Sequence, residues 1–392
     1  MTLNLTKTPV IYVTRDLERA LGLPLDTRGY YIISNYSAFA KMLVKGRKNV
    51  LLVKSKAILD TRELLVQPAV KRFLGKIKEP NILVFKNTKQ IEQICQSNNW
   101  NLLNPSSELS EKVEEKISGV EWLGPLKKYL PMHEVLECRD LDWNDEKFIL
   151  QFNRAHTGGG TILIESEQQL QDLQKEFPVR PVRVTEFISG PALTNNNVVW
   201  DGKVLTGNIN YQITGLEPFT QLPFATIGND WALPHKLLSA AQLKKYYKIA
   251  EDVGVRLAKS GWCGLFGIDV IMDEKTGKLY LIEINARQPA STSYESQLQQ
   301  EKNKKGLTTF AAHVLALLRE KNKRQKLVTI KNGAQIVQKV VPTEKLIDKK
   351  LLNYNINKIQ KEGWGIFLYN NEEREKDWLR LQSKNGVMAG HN

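Results

Sequence analysis

Short apolar runs alternate with helical patterns over the first part of the chain. The apolar runs lie at residues 10–13, 31–34, 50–53 and 82–85. Between some of them, apolar residues recur at helical spacing, as in residues 37–43 and 89–96. Strands that alternate with helices in this way are typical of a parallel sheet with crossover helices. We therefore predict an α/β domain over residues 1–105.

Polar residues follow the first predicted strand. Thr14, Arg15 and Asp16 come directly after the run at residues 10–13, at the carboxyl end where open α/β sheets bind ligands. Asp16 equally suits the cap of a helix that begins there, and the sequence leaves both interpretations open. No GxGxxG follows this strand, so dinucleotide binding has no support.

The clearest pattern in the chain is a predicted β-hairpin. Residues 265–272 are apolar apart from Gly267 and Asp269. Residues 278–285 form a second run that is rich in Leu, Ile and Tyr. Residues 273–277 between them have turn chemistry, and Gly277 is able to take a positive φ. This spacing predicts two antiparallel strands.

Polar side chains converge on one face of this hairpin. Because side chains alternate across a strand, Glu283, Asn285 and Arg287 share a face. A register with Asp269 opposite Glu283 or Leu281 brings Asp269 to the same face. Two carboxylates and an amide oxygen are ligands that suit Mg²⁺ or Mn²⁺, and a guanidinium beside them stabilises developing negative charge. The alternative is a hairpin whose polar residues simply face water.

A glycine-rich loop precedes the hairpin in the sequence. Residues 148–164 read as two strands that flank Gly158, Gly159 and Gly160. Successive glycines let backbone N–H groups approach phosphate oxygens, although hairpin loops use glycine too. Around this loop we predict helices at 108–119 and 239–260 and a strand at 182–188. The helix at 108–119 follows a domain boundary that we place near residue 105.

The end of the chain is rich in lysine. The net charge of the protein is +14, and much of the excess lies in the last quarter. We predict a basic C-terminal extension at 326–392, with strands at 333–337 and 365–369 and a helix at 372–381. A basic surface suits nucleic acid, an anionic membrane or an anionic small substrate. No aromatic residues are interleaved with these lysines, so nucleic-acid binding is not the favoured interpretation.

The amino-acid composition indicates which class of protein this is. The chain has 392 residues, of which 42% are hydrophobic and 25% charged, as in ordinary globular proteins of two or three domains. No apolar run reaches the ~18–20 residues of a membrane span, and the first residues lack the pattern of a signal peptide. Three scattered cysteines suit a reducing compartment and argue against zinc or a disulfide framework. These features predict a cytoplasmic protein.

The hairpin motif resembles that of a known family. Gly-Ile-Asp-Val, a short turn and then Leu-Ile-Glu-Ile-Asn-Ala-Arg are similar to the metal-binding end of the ATP-grasp superfamily. The resemblance implies that Asp269, Glu283 and Asn285 hold Mg²⁺ (or Mn²⁺) on ATP, and that Arg287 assists the reaction as a catalytic residue. It extends over about residues 106–300.

The resemblance also implies nucleotide-binding residues. A lysine that reaches the phosphates corresponds to Lys116, with Lys112 as its rival. A second such lysine is replaced by Gln151, so Arg154, His156 or Arg183 would have to supply the missing charge. The implied phosphate loop and adenine hinge comprise Gly158, Gly159, Gly160, Glu186, Phe187 and Ile188.

The family's organisation gives the expected fold and activity. The expected fold is α/β, with a parallel N-terminal domain and then an ATP-grasp domain at 106–325 whose antiparallel sheets form two subdomains, the smaller one at about 145–188. The implied activity is a Mg²⁺-dependent ligase that uses ATP to join a carboxylate to an amine. A kinase-like protein or a nucleotide-binding regulator is the alternative, and nucleic-acid binding through the basic end is the second. Since many family members are dimers, a homodimer stays open.

Overall fold

The N-terminal part of the molecule is a parallel sheet with helices between its strands. The computed structural model describes residues 3–153, 160–322, 326–341, 357–369, 371 and 373–391. The strands are β1 (Val10–Val13), β2 (Tyr30–Asn35), β3 (Val50–Val53), β4 (Asn81–Val84) and β5 (Asn101–Leu102). The connecting helices are α1 (Ala38–Val44), α2 (Thr61–Leu65), α3 (Pro68–Leu74) and α4 (Lys89–Ser97). All neighbours in the order β3-β2-β1-β4-β5 are parallel, which confirms the predicted architecture.

The helices and strands of the rest of the chain form two antiparallel sheets and the layers that cover them. The helices are α5 (Ser107–Glu114), α6 (Ser118–Leu123), α7 (Glu167–Glu176), α8 (Pro234–Leu237), α9 (Ala240–Lys259), α10 (Thr292–Lys302) and α11 (Thr309–Leu317). The short 3-10 helices are Leu17–Ala20, Gly124–Tyr129 and Cys138–Asp140. Among the described residues, no helix is both long and apolar enough to cross a membrane.

The first antiparallel sheet is small. Its strands are β6 (His133–Glu137), β7 (Phe148–Phe152), β8 (Thr161–Ile164) and β9 (Pro181–Glu186), in the order β6-β9-β7-β8. Strands β7 and β8 flank the glycine-rich segment, as the sequence predicts. Residues 154–159, which include Gly158 and Gly159, lie outside the described residues. The sheet begins earlier in the chain than the predicted start of the small subdomain near residue 145.

The second antiparallel sheet is the larger one. Its strands are β10 (Ala192–Trp200), β11 (Lys203–Leu205), β12 (Asn210–Thr214), β13 (Thr226–Asp230), β14 (Gly264–Met272), β15 (Leu279–Asn285), β16 (Ala334–Lys339), β17 (Gly365–Leu368) and β18 (Asp377–Ser383). The order is β15-β14-β10-β12-β13-β16-β18-β17, with β11 beside β10. The apolar side chains of α9, Tyr246, Ile249, Val253 and Leu257, are fully buried in the core under this sheet. Burial of each such side chain stabilises the fold by roughly 1.5–3 kcal/mol.

Strand β1 joins the N-terminal sheet to the rest of the molecule, because the side chains on its two faces pack into two different hydrophobic cores. Ile11 and Val13 pack among the helices of the N-terminal domain. Val10 and Tyr12 face the opposite way and share a core with α11, where the rings of Tyr12 and Phe310 are 5.9 Å apart. The carboxyl end of β1 therefore lies where the N-terminal domain meets the larger sheet.

The C-terminal segment belongs to the larger sheet. The predicted strands at 333–337 and 365–369 correspond to β16 and β17 and are confirmed. The predicted helix at 372–381 is wrong, because residues 377–383 form β18 between β16 and β17. The charged run before β18 suggested a helix, whereas the strand itself alternates Leu379 and Leu381 with the buried Arg380.

Asp230, at the end of β13, anchors the last described residues to this sheet. Its fully buried carboxylate accepts backbone N–H bonds from Ala232, Leu233, Val387 and Met388 at 2.6–2.9 Å. Asp230→Ala would leave these donors unpaired, and we expect it to lower the free energy of unfolding by about 3 kcal/mol, as measured by urea denaturation. The exposed Asp26→Asn is the control, and equal stability of the two variants would contradict this role.

Candidate functional site

The predicted polar face of the β14–β15 hairpin is present. Asp269 pairs with Glu283 across the strands, which confirms the first of the two predicted registers, and the ladder is irregular immediately after Asp269. The amide nitrogen of Asn285 donates to Oδ2 of Asp269 at 3.1 Å. Arg287 lies just beyond β15, and its Nη1 donates to Oδ1 of Asn285 at 2.5 Å. The hairpin therefore brings Asp269, Glu283, Asn285 and Arg287 together.

Electrostatics distinguishes the two carboxylates of this face. Burial, and next the charge of Glu283, raises the pKa of Asp269 to about 6. Burial acts in the same direction on Glu283, but the positive charges of Lys116 and Arg287 outweigh it and lower the pKa of Glu283 below its ordinary value. Glu283 is thus matched by cations of the protein, whereas Asp269 has a negative neighbour instead.

The chemistry of this face fits a divalent cation. Oδ1 of Asp269 is buried and has no hydrogen-bond partner in the part of the chain that the structure describes. A buried, unpaired carboxylate oxygen beside a second carboxylate is poorly stabilised by the protein alone, and hard oxygen ligands are what Mg²⁺ prefers. No group of three or more His, Cys, Asp or Glu side chains that could hold a metal occurs among the described residues. The set here contains two carboxylates and an amide.

Lys116 reaches the same face from the helical layer. Its Nζ is 3.1 Å from Oε1 of Glu283, while Lys112 is exposed to solvent. The helix predicted over 108–119 is interrupted here: α5 ends at Glu114, and α6 begins at Ser118. At the break, the side chain of Asn153 accepts a hydrogen bond from the backbone of Ile117 and donates to Glu115. This interruption turns Lys116 towards the hairpin.

Arg287 is held by an acidic residue that sequence reasoning missed. Oε1 of Glu114 lies 2.8 Å from Nη1 of Arg287, and Oε2 of Glu114 lies 2.6 Å from Nζ of Lys86. Glu114 comes from the end of α5 and Lys86 from the loop after β4, so the contact joins three separate parts of the chain. In the sequence, Glu114 is one acid within a charged run, and nothing local singles it out.

A cation stands next to Gln151, where the family resemblance expects a lysine. Both Nε and Nη2 of Arg183 donate to Oε1 of Gln151, the former at 2.9 Å. Gln151 also donates to Thr161 at 3.1 Å, and Arg183 donates to the backbone oxygen of Ile282 on β15 at 3.3 Å. Burial lowers the pKa of Arg183 to about 10, so the guanidinium stays charged at neutral pH. The other two candidates, Arg154 and His156, lie outside the described residues.

The predicted hinge lies between the two antiparallel sheets. Glu186 ends β9, and both its backbone N–H and its carboxylate bond to the backbone of Met132, at 3.1 and 2.9 Å. Phe187 and Ile188 follow as half-buried residues in the segment that leads to β10. Of the predicted glycine loop, the structure describes Gly160, whose carbonyl accepts a hydrogen bond from Phe152 at 3.0 Å.

Of these groups, Lys116, Arg183 and Glu283 line one cleft between the two antiparallel sheets. The space among its lining residues is about 300 Å³ and is partly open to solvent. Its charged lining residues are Glu114, Glu115, Lys116, Arg183 and Glu283, and its apolar ones are Val113, Leu123, Leu130, Leu281, Ile282 and Ile284. Its lining thus combines charged and apolar side chains, as sites for small molecules commonly do.

Comparisons with known proteins agree with this geometry. A family model described as an ATP-grasp domain matches residues 113–291. No curated protein matches the chain by sequence. Among solved structures, N5-carboxyaminoimidazole synthase from Aspergillus clavatus, in complex with ADP and 5-aminoimidazole ribonucleotide, is similar with a TM-score of 0.64 at 16% identity, over 97% of this chain and 94% of that one.

Two further structures show the same likeness. L-amino acid ligase from Bacillus licheniformis has a TM-score of 0.62 at 14% identity, over 96% of this chain and 93% of that one. The biotin carboxylase domain of 2-oxoglutarate carboxylase from Hydrogenobacter thermophilus has a TM-score of 0.64 at 14% identity, over 96% and 86%. At such identities the likeness shows the fold. The family model assigns an ATP-grasp domain to residues 113–291 of this chain.

Proposed function

We propose that this protein is a Mg²⁺-dependent ligase that uses ATP to join a carboxylate to an amine. The observation that carries the proposal is the grouping of Asp269, Glu283 and Asn285 on the β14–β15 hairpin, with Lys116 bonded to Glu283 and Arg183 beside it in the adjoining cleft. Such a site binds polyphosphate and metal together, because the carboxylates hold the cation and the protein cations hold the phosphates. Two of the similar structures are complexes with ADP or MgADP, and a third is an amino acid ligase, which supports this choice.

The proposed reaction has two steps. A carboxylate oxygen of the substrate attacks the γ-phosphorus of ATP, the bond from that phosphorus to the bridging oxygen breaks, and ADP leaves. The nitrogen of the amine then attacks the acyl carbon, the carbon–oxygen bond to phosphate breaks, and inorganic phosphate leaves. The activation is needed because a free carboxylate is a poor electrophile.

Each residue has a part in this scheme. Asp269, Glu283 and Asn285 hold Mg²⁺, which neutralises charge on the phosphates when bound. Lys116 and Arg183 bind the phosphate oxygens, with Gln151 positioning Arg183. Arg287 donates to the charge that develops on the transferred phosphoryl group or the acyl oxygen, and Glu114 positions Arg287.

The remaining predicted residues bind the two ends of the nucleotide. Gly158, Gly159 and Gly160 close over the phosphates through their backbone N–H groups. Glu186, Phe187 and Ile188 pair with and cover the base at the hinge. Because the hinge connects the two antiparallel sheets, binding of the base there places the phosphates over the hairpin.

The products of ATP consumption test the reaction class. Purified protein with MgATP and panels of carboxylates and amines should form ADP and inorganic phosphate in equal amounts, only when both substrates are present. Formation of ADP with the phosphoryl group retained on a product would indicate a kinase instead. ATP binding without turnover across the whole panel would favour a nucleotide-binding regulator.

A substitution at Gln151 tests the role of Arg183. A lysine at this position would bring an ammonium group against the buried guanidinium of Arg183 and remove the oxygen that Arg183 bonds. Like charges this close repel strongly even with partial screening. We therefore expect Gln151→Lys to weaken MgATP binding roughly tenfold, as measured by calorimetric titration. Gln168→Lys on the exposed face of α7 is the control, and tighter ATP binding by Gln151→Lys would contradict this assignment.

A further inference from the structure

A second group of charged side chains lies at the carboxyl end of β1. We define it as the β1-end cluster, which consists of Arg15, Asp16, Glu18, Arg19, Asp377 and Arg380. Its first four members follow β1 directly and enter the 3-10 helix Leu17–Ala20. Its last two come from β18 of the larger sheet. The cluster therefore occupies the junction between the N-terminal domain and the larger sheet.

Several polar atoms of this cluster are buried without partners. Glu18 is 6% exposed, and neither of its carboxylate oxygens has a hydrogen-bond partner among the described residues. Nε of Arg15 and Nη1 of Arg19 are likewise buried and unpaired in that part of the chain. Each buried polar atom without a partner typically costs about 1–3 kcal/mol. Such atoms are rare in folded proteins, and strain, a catalytic role, or a bound water or ion accounts for those that occur.

The unpaired atoms include both hydrogen-bond acceptors and hydrogen-bond donors. Glu18 offers acceptors at 3.4 Å from Nε of Arg19 and 4.0 Å from Nη2 of Arg380, which are charge contacts longer than hydrogen bonds. Arg15 and Arg19 offer donors. Arg380, by contrast, already donates to Tyr369 and Gln335 at 2.9 Å. The free capacity of the cluster is thus an acidic acceptor beside two basic donors.

Exposure within the cluster shows how a ligand would enter. The side chains of Arg15 and Asp16 are 34% and 29% exposed. Those of Arg19 and Glu18 are only 15% and 7% exposed. The cluster is therefore more accessible to solvent at Arg15 and Asp16 than at Glu18, which we call its closed end.

The closed end adjoins the proposed catalytic arginine. The guanidinium of Arg19 lies over the ring of Phe85, 4.7 Å from its centroid, and its backbone oxygen accepts a hydrogen bond from Gln288 at 2.9 Å. Gln288 follows Arg287 in the chain, and Lys86, which follows Phe85, bonds the Glu114 that holds Arg287. A ligand in the cluster would therefore lie next to the reacting end of the nucleotide cleft.

We propose that the β1-end cluster binds a substrate of the ligase, and that this substrate is an α-amino acid. Arg15 and Arg19 bind its carboxylate, and Glu18 binds its ammonium group. A free phosphate or a simple carboxylate would satisfy the arginines but would meet the buried charge of Glu18. A simple amine would satisfy Glu18 and leave the arginines unpaired. This inference rests on the proposed ligase function for its link to turnover, but its binding step can be measured separately.

Thermal unfolding of the full chain tests the binding step. The probes are the common L-amino acids, tested with and without MgADP. Each is used at a concentration about tenfold above a Kd in the millimolar range. We expect at least one of them to raise Tm by on the order of 2 °C. Its decarboxylated amine, its des-amino acid and inorganic phosphate should each give less than half of that shift. Because this comparison uses the wild-type protein, it does not depend on whether any variant folds.

Variants locate the site. Glu18→Gln and Arg19→Gln should lose the shift, while the exposed Asp26→Asn and Arg28→Gln in the same domain should keep it. The amino acid should also stimulate ADP release when a second substrate is supplied. A shift retained by Glu18→Gln, or an equal shift from the des-amino acid or phosphate, would overturn the proposal in favour of an anion subsite.

The binding and turnover results separate the two proposals. Amino-acid binding that requires Glu18 and Arg19, with no ADP formed from any substrate pair, would overturn the ligase function and leave only the binding step of this inference standing. ADP and phosphate formed from other substrates, with no shift from any amino acid, would overturn this inference and leave the ligase function standing.

Discussion

Glu283→Gln is expected to reduce substrate-dependent ADP release by about 10²–10³-fold at saturating Mg²⁺. The amide keeps the shape of the carboxylate but removes the negative charge that we propose faces the metal, and a metal's stabilisation of the transition state is worth several kcal/mol. The fold should be retained, since Glu283 is 36% exposed and its bond to Lys116 lies at the cleft. A coupled assay for ADP measures the effect.

The control for this variant is Glu251→Gln, which makes the same chemical change on the exposed face of α9. It should turn over as the wild type does. Wild-type turnover by Glu283→Gln at saturating Mg²⁺ would remove the metal assignment.

Arg287→Ala is expected to lower turnover by about 10²–10³-fold while changing the Kd for MgATP far less. Lys116, Arg183 and the hinge would still hold the nucleotide, whereas the charge that develops during transfer would lose its donor. Glu114 keeps its bond to Lys86 in this variant, so the local structure should persist. Comparison of kcat with the Kd from calorimetric titration separates the two effects.

Two further variants sharpen this test. Arg62→Ala removes an exposed guanidinium from the N-terminal domain and should change neither quantity. Glu114→Gln should lower kcat less than Arg287→Ala does, because it loosens the arginine without removing it. Unchanged turnover with much weaker nucleotide binding in Arg287→Ala would place this residue on the ground-state phosphates instead.

The hairpin was predictable because its information is local. Alternation and a turn with Gly277 fix which side chains share a face. These rules place Asp269 opposite Glu283 or Leu281, and the structure has the first of these registers. The parallel N-terminal sheet was predictable for the same reason, since each apolar run and helix carries its own pattern.

The contacts that complete the site depend on distant parts of the chain. Arg183 was one of three candidate cations for Gln151, and only the pairing of β7 with β9 places them side by side. Glu114 and Lys86 meet Arg287 through tertiary packing. The position of Lys116 depends on a helix break that Asn153, the residue after β7, stabilises. Local propensity carries no information about such pairs.

The sheet order bears on how the chain reaches its folded state. Strand β16 hydrogen-bonds to β13, although α9, the β14–β15 hairpin, α10 and α11 lie between them in sequence. Contacts between residues far apart in sequence require closure of a long loop and form slowly. The N-terminal sheet and the small sheet join strands much closer in sequence, so they can form earlier. Arg380 and Asp377 arrive with β18, and the amino-acid site that we propose at the end of β1 is therefore completed late in folding.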